Sequence, residues 1–388
     1  MVVGSVVKKK ESKPLGIVDL VGLGVGGTIG SGIFVVPAVA AGIAGPESLY
    51  AWVLCAISFG AVLTCLTLLS KKYAMTGAFY TLFERSFNER TAAFIIVAYI
   101  ISGILGVATI AAAIGESVII PGVPSKVLAV ALVVGFGLIN LVGLALSAWI
   151  ENIMAVLKIL PLLIVPLILL PFISGANFTP AGAGGSMTFL SSAIIIYWCF
   201  TGFEISAIPS SSVRDPERTV PRSLIYVFVA VTVIYLALNF ALIGSVGAQD
   251  LASTAAPISY AVERFFPGTG IVIGVVAVIS MLSALNAYLL GTAMVLQSFS
   301  SKYNKAFAFE RKGVPVYTVI LCTALTAFLL LFTDYFVFLA SASVIATLIP
   351  YLFLCYAAMK AIDRPIVKLI AAIGIISTLI VLVSSFVM

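Results

Sequence analysis

Two ionisable side chains stand in the middle of long apolar runs: Lys158 in IMAVLKILPLLIVP and Glu204 in IYWCFTGFEIS. An ionisable residue held at membrane depth is costly, so it is a functional candidate by default. Glu204 lies about ten residues, roughly 15 Å of helix, from the charged end of its segment at Arg214. Lys158 lies about eight residues, some 12 Å, inside its own. Each also has a plainer reading. Glu204 would serve as interhelical glue, and Lys158 would snorkel its ammonium to the interface. The chain has no histidine, which removes the usual proton shuttle and metal ligand. Cys55, Cys65, Cys199, Cys322 and Cys355 all fall in apolar segments without metal spacing and read as small core hydrophobes. With no nucleophile–base pair visible either, an enzyme, a metal site and a cofactor are not expected.

The other candidate chemistry is backbone chemistry. Residues 22–37 read GLGVGGTIGSGIFVVP, with Gly22, Gly24, Gly26, Gly27, Gly30 and Gly32 in a run otherwise apolar enough to cross a bilayer. Glycine costs about 1 kcal/mol relative to alanine inside a helix. A helix opened in hydrocarbon leaves N–H and C=O groups that protein, ligand or a wet cavity must receive. Such a break at the centre of a span is the mark of a transporter binding site, although small residues also serve close helix packing. Gly22 to Gly27 also satisfies G-x-G-x-x-G, but the flanks are a membrane span and not the βαβ unit a dinucleotide site requires.

These residues sit in a membrane protein. The 388 residues are 62% hydrophobic and 9% charged, against about a quarter charged in soluble chains. Spans of about 20 apolar residues number eleven, at roughly 15–44, 48–70, 91–118, 125–147, 150–173, 188–210, 221–245, 270–300, 315–333, 335–359 and 365–387. The first is too long for a signal-peptide core. With the N-terminus inside, all of the 21 lysines and arginines except Lys126, Lys158 and Arg264 fall on the inner side, as the positive-inside rule requires. That expectation puts the chain in the cytoplasmic membrane with its lipid bilayer as partner. The net charge of +6 is spread over inner loops with no interleaved aromatic face, so nucleic acid is not a partner. Asn177-Phe-Thr179 is a glycosylation sequon on an outer loop.

Span 6 repeats the oddity of span 1: Trp198-Cys199-Phe200-Thr201-Gly202-Phe203-Glu204 is followed by Pro209. A long amphipathic stretch follows span 2 at 71–90 and span 7 at 246–269, on opposite sides of the membrane. The chain therefore divides into a tail, 1–14, a first repeat, 15–173, a second inverted repeat, 188–360, and an added span, 361–388. Matched interruptions in inverted repeats point to the binding site of a secondary transporter.

At this point a resemblance becomes specific. Gly30-Ser31-Gly32-Ile33-Phe34 with Pro37 resembles the first-helix signature of amino acid–polyamine–organocation (APC) transporters. FTGFE at 200–204, with VRDPERTVPR at 213–222, is similar to that family's sixth-helix motif and inner loop; Leu285-Asn286-Ala287-Tyr288 with Gly291 resembles its eighth helix. The resemblance covers residues 15 to about 360. It implies an all-α polytopic membrane protein with the LeuT-like 5+5 inverted-repeat bundle, broken helices 1 and 6, and an amino acid or amine substrate. The family usually has twelve spans or more, where this chain has about eleven, and the oligomeric state stays open.

The substrate carboxylate needs N–H donors and a helix N-terminus, which Ile29, Gly30, Ser31 and Gly32 would offer. The α-ammonium needs carbonyls, which Gly26, Gly27 and the stretch Cys199 to Gly202 would supply. Resemblance to the arginine/agmatine antiporters would put Trp198, Thr201 and Asn286 at the side-chain pocket; mid-span packing is the plainer role for Trp198. It also implies that Lys158 takes the place of a sodium ion, donating to the Gly26 carbonyl and to Ser283 of span 8, with Lys158 and Glu204 as gating or proton-coupling groups. The resulting expectation is a proton-coupled secondary transporter of amino acids working by alternating access. An exchanger of amino acids or polyamines without net ion coupling is the nearest alternative. A non-transporting amino-acid-binding membrane sensor is an alternative of a different class.

Overall fold

The computed structural model describes residues 16–73, 79–179, 188–204, 213 and 215–385. The first apolar run is two helices, α1 (Ile17–Thr28) and α2 (Ser31–Ala44), parted where Ile29 (φ −82°, ψ 86°) and Gly30 (φ −120°, ψ −139°) leave helical geometry. Low helix propensity at Gly24, Gly26 and Gly27 weakens the end of α1, and the Thr28 hydroxyl donates back to the Gly24 carbonyl at 2.7 Å. A tight turn at Gly45–Glu47, with Gly45 at φ +56°, leads into α3 (Ser48–Tyr73). Short α4 (Phe79–Ser86) precedes α5 (Glu89–Ser117), whose first turn is capped by the Asn88 side chain accepting from the Thr91 N–H at 2.9 Å. Then come α6 (Ser125–Val142) and α7 (Leu144–Leu169).

The second half follows the same order. Half-span α8 (Thr188–Phe200) stops at Thr201-Gly202, and α9 (Pro216–Val246) is long. Short α10 (Ala248–Ala252) and α11 (Pro257–Phe265) then lead to α12 (Gly270–Ser300), α13 (Val316–Phe332) and α14 (Phe336–Ala361); α15 (Pro365–Ser384) ends the described chain. A two-stranded hairpin, β1 (Glu310–Arg311) and β2 (Val314–Pro315), turns between α12 and α13 through Lys312 and Gly313, both at positive φ.

The chain is thus an all-α polytopic membrane protein with a broken first helix and a sixth that stops half-way. Seven described segments are long and apolar enough to cross a bilayer, and the first of these, Ile17–Lys72, holds two crossings. Leu157–Phe172, Thr188–Phe200 and Val316–Phe332 are shorter apolar helices at the remaining expected spans. Large aliphatics face outward, among them Leu160, Leu163 and Leu167 of α7 and Ile376, Leu379 and Val383 of α15, while hydroxyls turn inward. Lys158 (0% exposed) and Glu204 (3%) are the two charged side chains in the described core. Helix α5 packs on α6, α12 and α14, α2 on α8, and α1 on α7, α9 and α12. Trp52, Phe59, Phe200, Phe203 and Tyr235 form an aromatic cluster with centroids 4.8–6.0 Å apart and wedge α3 against α8 and α9.

Some expectations shift. The reversal between spans 4 and 5 falls at Gly143, not near 147–150, because its φ of +153° turns the chain without a polar loop. The Glu116 carboxylate at the end of α5 accepts the Phe336 N–H at 3.1 Å and so caps α14. The sequon nitrogen of Asn177 donates to the Gly244 carbonyl at 2.7 Å, tying its loop to α9. The N-terminal tail, most of the stretch after Glu204, Arg214 and part of the 175–186 loop lie outside the described residues.

Helix α15 meets α14 and α3 at Gly374, where a Cβ would come 2.6 Å from the Cys355 sulfur and 3.4 Å from the Ala61 Cβ. Gly374→Leu should therefore overpack this seam and cost about 1–3 kcal/mol. The check is a lowered midpoint of thermal unfolding in detergent; an unchanged midpoint would mean that α15 is loosely attached.

Candidate functional site

The break between α1 and α2 leaves carbonyls without helical partners, and buried side chains from three other helices receive them. The Lys158 ammonium, brought in by α7, donates to the carbonyls of Gly26 (2.7 Å) and Ile29 (3.1 Å) and to the Ser283 hydroxyl of α12 (2.9 Å). Ser280, one turn earlier on α12, donates to Ile29 O at 3.3 Å. The Tyr235 hydroxyl of α9 donates to Thr28 O at 3.1 Å. Lys158 is thus fully buried in a ring of oxygens and does not snorkel.

Beyond the break, α2 begins with Ser31 and Gly32, whose N–H groups head a helix. Close approach is as much a part of these glycines as bare backbone. A Cβ at Gly32 would come 2.8 Å from the Cys199 sulfur and 3.0 Å from its Cα, and one at Gly30 would come 2.7 Å from the Ala284 Cβ. On the facing half-helix, the Trp198 indole N–H donates to the Ser31 hydroxyl at 3.3 Å. The Thr201 hydroxyl bonds the Trp198 carbonyl (2.9 Å) and lies 3.0 Å from the Tyr288 hydroxyl of α12. Gly202 sits at φ +97°, and a Cβ there would meet the Tyr288 hydroxyl at 2.7 Å and the Gly27 carbonyl at 2.8 Å. Gly27 and Gly202, 175 positions apart in the sequence, are thus pressed together at the two helix breaks.

Glu204 follows in a short turn. One carboxylate oxygen accepts from the Tyr99 hydroxyl of α5 and the other from the Tyr351 hydroxyl of α14, both at 2.9 Å. A buried carboxylate requires such partners. The acid therefore links the α8 break to two helices of the surrounding shell.

Two small cavities flank Tyr288. The first, about 10 Å³, is bounded by the break residues Gly27, Gly30, Ser31 and Gly32 together with Ile110 and Trp198. The second, also about 10 Å³, lies by Tyr99, Ser102, Thr201, Glu204 and Thr347. Each is near the least volume that holds one water. Of the expected residues, Gly26, Ile29, Lys158 and Ser283 form one hydrogen-bonded group, Gly27, Gly30, Ser31, Gly32 and Trp198 border the first cavity, and Thr201 and Glu204 border the second. Cys199, Gly202 and the buried Asn286 bound neither. Tyr99, Tyr351, Tyr235 and Ser280 were not expected, nor was a bounding role for Tyr288. Their signal was slight: a mid-span tyrosine whose hydroxyl needs a partner when buried.

Comparison with known proteins gives the same direction. A profile of the family described as amino acid permease matches residues 15–388. The chain is 24% identical over 324 residues to the uncharacterized amino acid permease YvbW of Bacillus subtilis, covering 78% of this chain and 72% of that one. It is 23% identical to the branched-chain amino acid permease BcaP of the same organism (76% and 68% covered). It is 26% identical to the L-methionine/branched-chain amino acid exporter YjeH of Escherichia coli (73% and 69% covered).

The shared carboxylate makes a stability prediction. Tyr99→Phe and Tyr351→Phe should each destabilise the fold by about 1–3 kcal/mol, the range for losing one hydrogen bond to a buried acid. The double variant should deviate from additivity, because both bonds end on Glu204. Thermal unfolding of the four proteins in a double-mutant cycle reads this out; strict additivity would mean that the two tyrosines act independently.

Proposed function

The chain belongs to the amino acid permease family of APC transporters, and from that premise we propose that it is a secondary active transporter of amino acids, driven by protons through alternating access. The observation that carries this reading is the break at Ile29–Gly30, set against the stop of α8 in the buried centre of the bundle. The N–H groups of Ser31 and Gly32, with the Ser31 hydroxyl, would receive the substrate carboxylate at the positive end of α2. The Gly27 carbonyl, beside Gly202, would receive the α-ammonium; Gly26 O and Ile29 O serve Lys158 instead. Relatives described as a branched-chain permease and a methionine/branched-chain exporter support an amino acid cargo.

In this reading Lys158 stands where a transported or structural sodium ion would otherwise bind the same oxygens. Its ammonium holds α1, α7 and α12 together, and loss of that proton releases the α1 end of the gate. Glu204 is the second group able to carry a proton, and its tyrosine partners pass the change to α5 and α14. The two repeats, 15–173 and 188–360, rock against each other about this point. The N-terminus lies in the cytoplasm and the protein in the cytoplasmic membrane, on the balance of basic residues between the two sides.

Uptake of radiolabelled amino acids into proteoliposomes tests the proposal. A pH gradient, acid outside, should drive accumulation several-fold above equilibrium with no sodium present, and Lys158→Ala should lose transport or its dependence on the gradient. Accumulation that requires sodium, or that proceeds normally in the alanine variant, would sink the role given to Lys158. Uptake only into vesicles preloaded with amino acid would identify an exchanger instead.

A further inference from the structure

Tyr288 borders both cavities. What lies on its two faces differs in charge. On the first face are the broken backbone of α1 and α2, Ile110 and the Trp198 ring, with no charged side chain in the lining. On the second face is Glu204, the one acidic side chain in the described core, among hydroxyls. We propose that the side-chain end of the substrate site takes uncharged, apolar amino acid side chains, and that Tyr288 sets this selectivity by walling the site off from Glu204. The inference rests on the amino acid transport reading and names the substrate class of that same site.

The wall is held from several directions. The Tyr288 hydroxyl lies 3.0 Å from Thr201 Oγ1, and its ring packs on Trp198 with centroids 5.9 Å apart. Two glycines let it sit there. A Cβ at Gly106 of α5 would come 3.0 Å from the tyrosine ring and 3.3 Å from the tryptophan ring, and one at Gly202 would come 2.7 Å from the hydroxyl. Both aromatic rings are thus fitted into space that any other residue at 106 or 202 would fill.

A cationic side chain lodged on the first face would find no carboxylate. The aromatic faces would attract it, but this attraction is weaker than the cost of desolvating an unpaired ion. The Lys158 ammonium sits on Gly26 and Ile29 of the same broken helix, so a second positive charge would also meet repulsion. An anionic side chain would meet apolar and π-electron-rich surface. An aliphatic or thioether side chain meets Ile110, Trp198 and Tyr288, the surface it is suited to.

The test is equilibrium binding to the purified full chain in detergent, using methionine and lysine as a pair of similar length, with alanine, leucine, arginine and glutamate beside them. The wild type should bind methionine and leucine at least tenfold more tightly than lysine, arginine or glutamate. Tyr288→Ala, which joins the two cavities, should shrink the methionine-to-lysine ratio tenfold or more, and adding Glu204→Gln should restore it. Should Tyr288→Ala not purify as a folded protein, Gly106→Ala decides. Its methyl group would crowd both rings, so methionine and leucine should weaken several-fold against alanine. Lysine bound as tightly as methionine by the wild type overturns the proposal. So does a ratio unmoved in folded Tyr288→Ala, or an unaltered size preference in Gly106→Ala. If no amino acid binds at all, the transport reading falls with it.

Discussion

Opening a helix in the middle of a membrane releases carbonyl groups that lipid cannot solvate, and the whole centre of this bundle answers to that constraint. Three buried donors converge on the broken end of α1: Lys158 from α7, Ser280 from α12 and Tyr235 from α9, and Ser283 of α12 accepts from the same lysine. Lysine is the one donor among them with three N–H bonds to give, and it donates to Gly26, Ile29 and Ser283. That single ammonium therefore couples three helices to the conformation of one short backbone segment. Whatever alters its charge or position alters the break.

The glycines resolve a choice that first looks like either close packing or bare backbone. At Gly30, Gly32 and Gly202 both hold at once. A Cβ at these positions would strike Ala284, Cys199, or Tyr288 and the Gly27 carbonyl, respectively. Small residues bring α2, α8 and α12 together, and that same proximity sets the two broken helix ends face to face. Substituting Gly32 would thus disturb the α2–α8 seam before it disturbed any ligand, and loss of binding in such a variant speaks to packing as well as chemistry.

Among the described residues Glu204 and Lys158 are the two buried charges, and the structure treats them differently. Lysine donates to backbone and hydroxyl oxygens of the broken helix and α12. Glutamate is held by phenolic hydroxyls from α5 and α14, outside the wall made by Tyr288. One charge is thus tied to the break that would hold a substrate, the other to the helices around it. Under the proposed function, this separation would let proton and substrate influence each other without sharing one pocket.

Much of this was legible in the residues themselves. Apolar run length placed the spans, because bilayer thickness sets element length. Glycine density located the first break, because helix propensity is a local property. The depth of Lys158 and Glu204 in their segments marked both as candidates, because burying a charge is costly wherever it occurs. The partners were another matter. Tyr99 and Tyr351 meet Glu204 from 105 and 147 positions away, and nothing near them in sequence distinguishes them from other mid-span tyrosines. Tyr288 belonged to a recognised motif, yet its place as a wall depends on Gly106 and Gly202 lying against it. The turn at Gly143 was misplaced, because one glycine at positive φ can reverse a chain with no polar signal. Local composition decides where a helix begins, breaks and enters the membrane. Which faces then meet is decided by how the helices pack together, and only the tertiary structure holds that information.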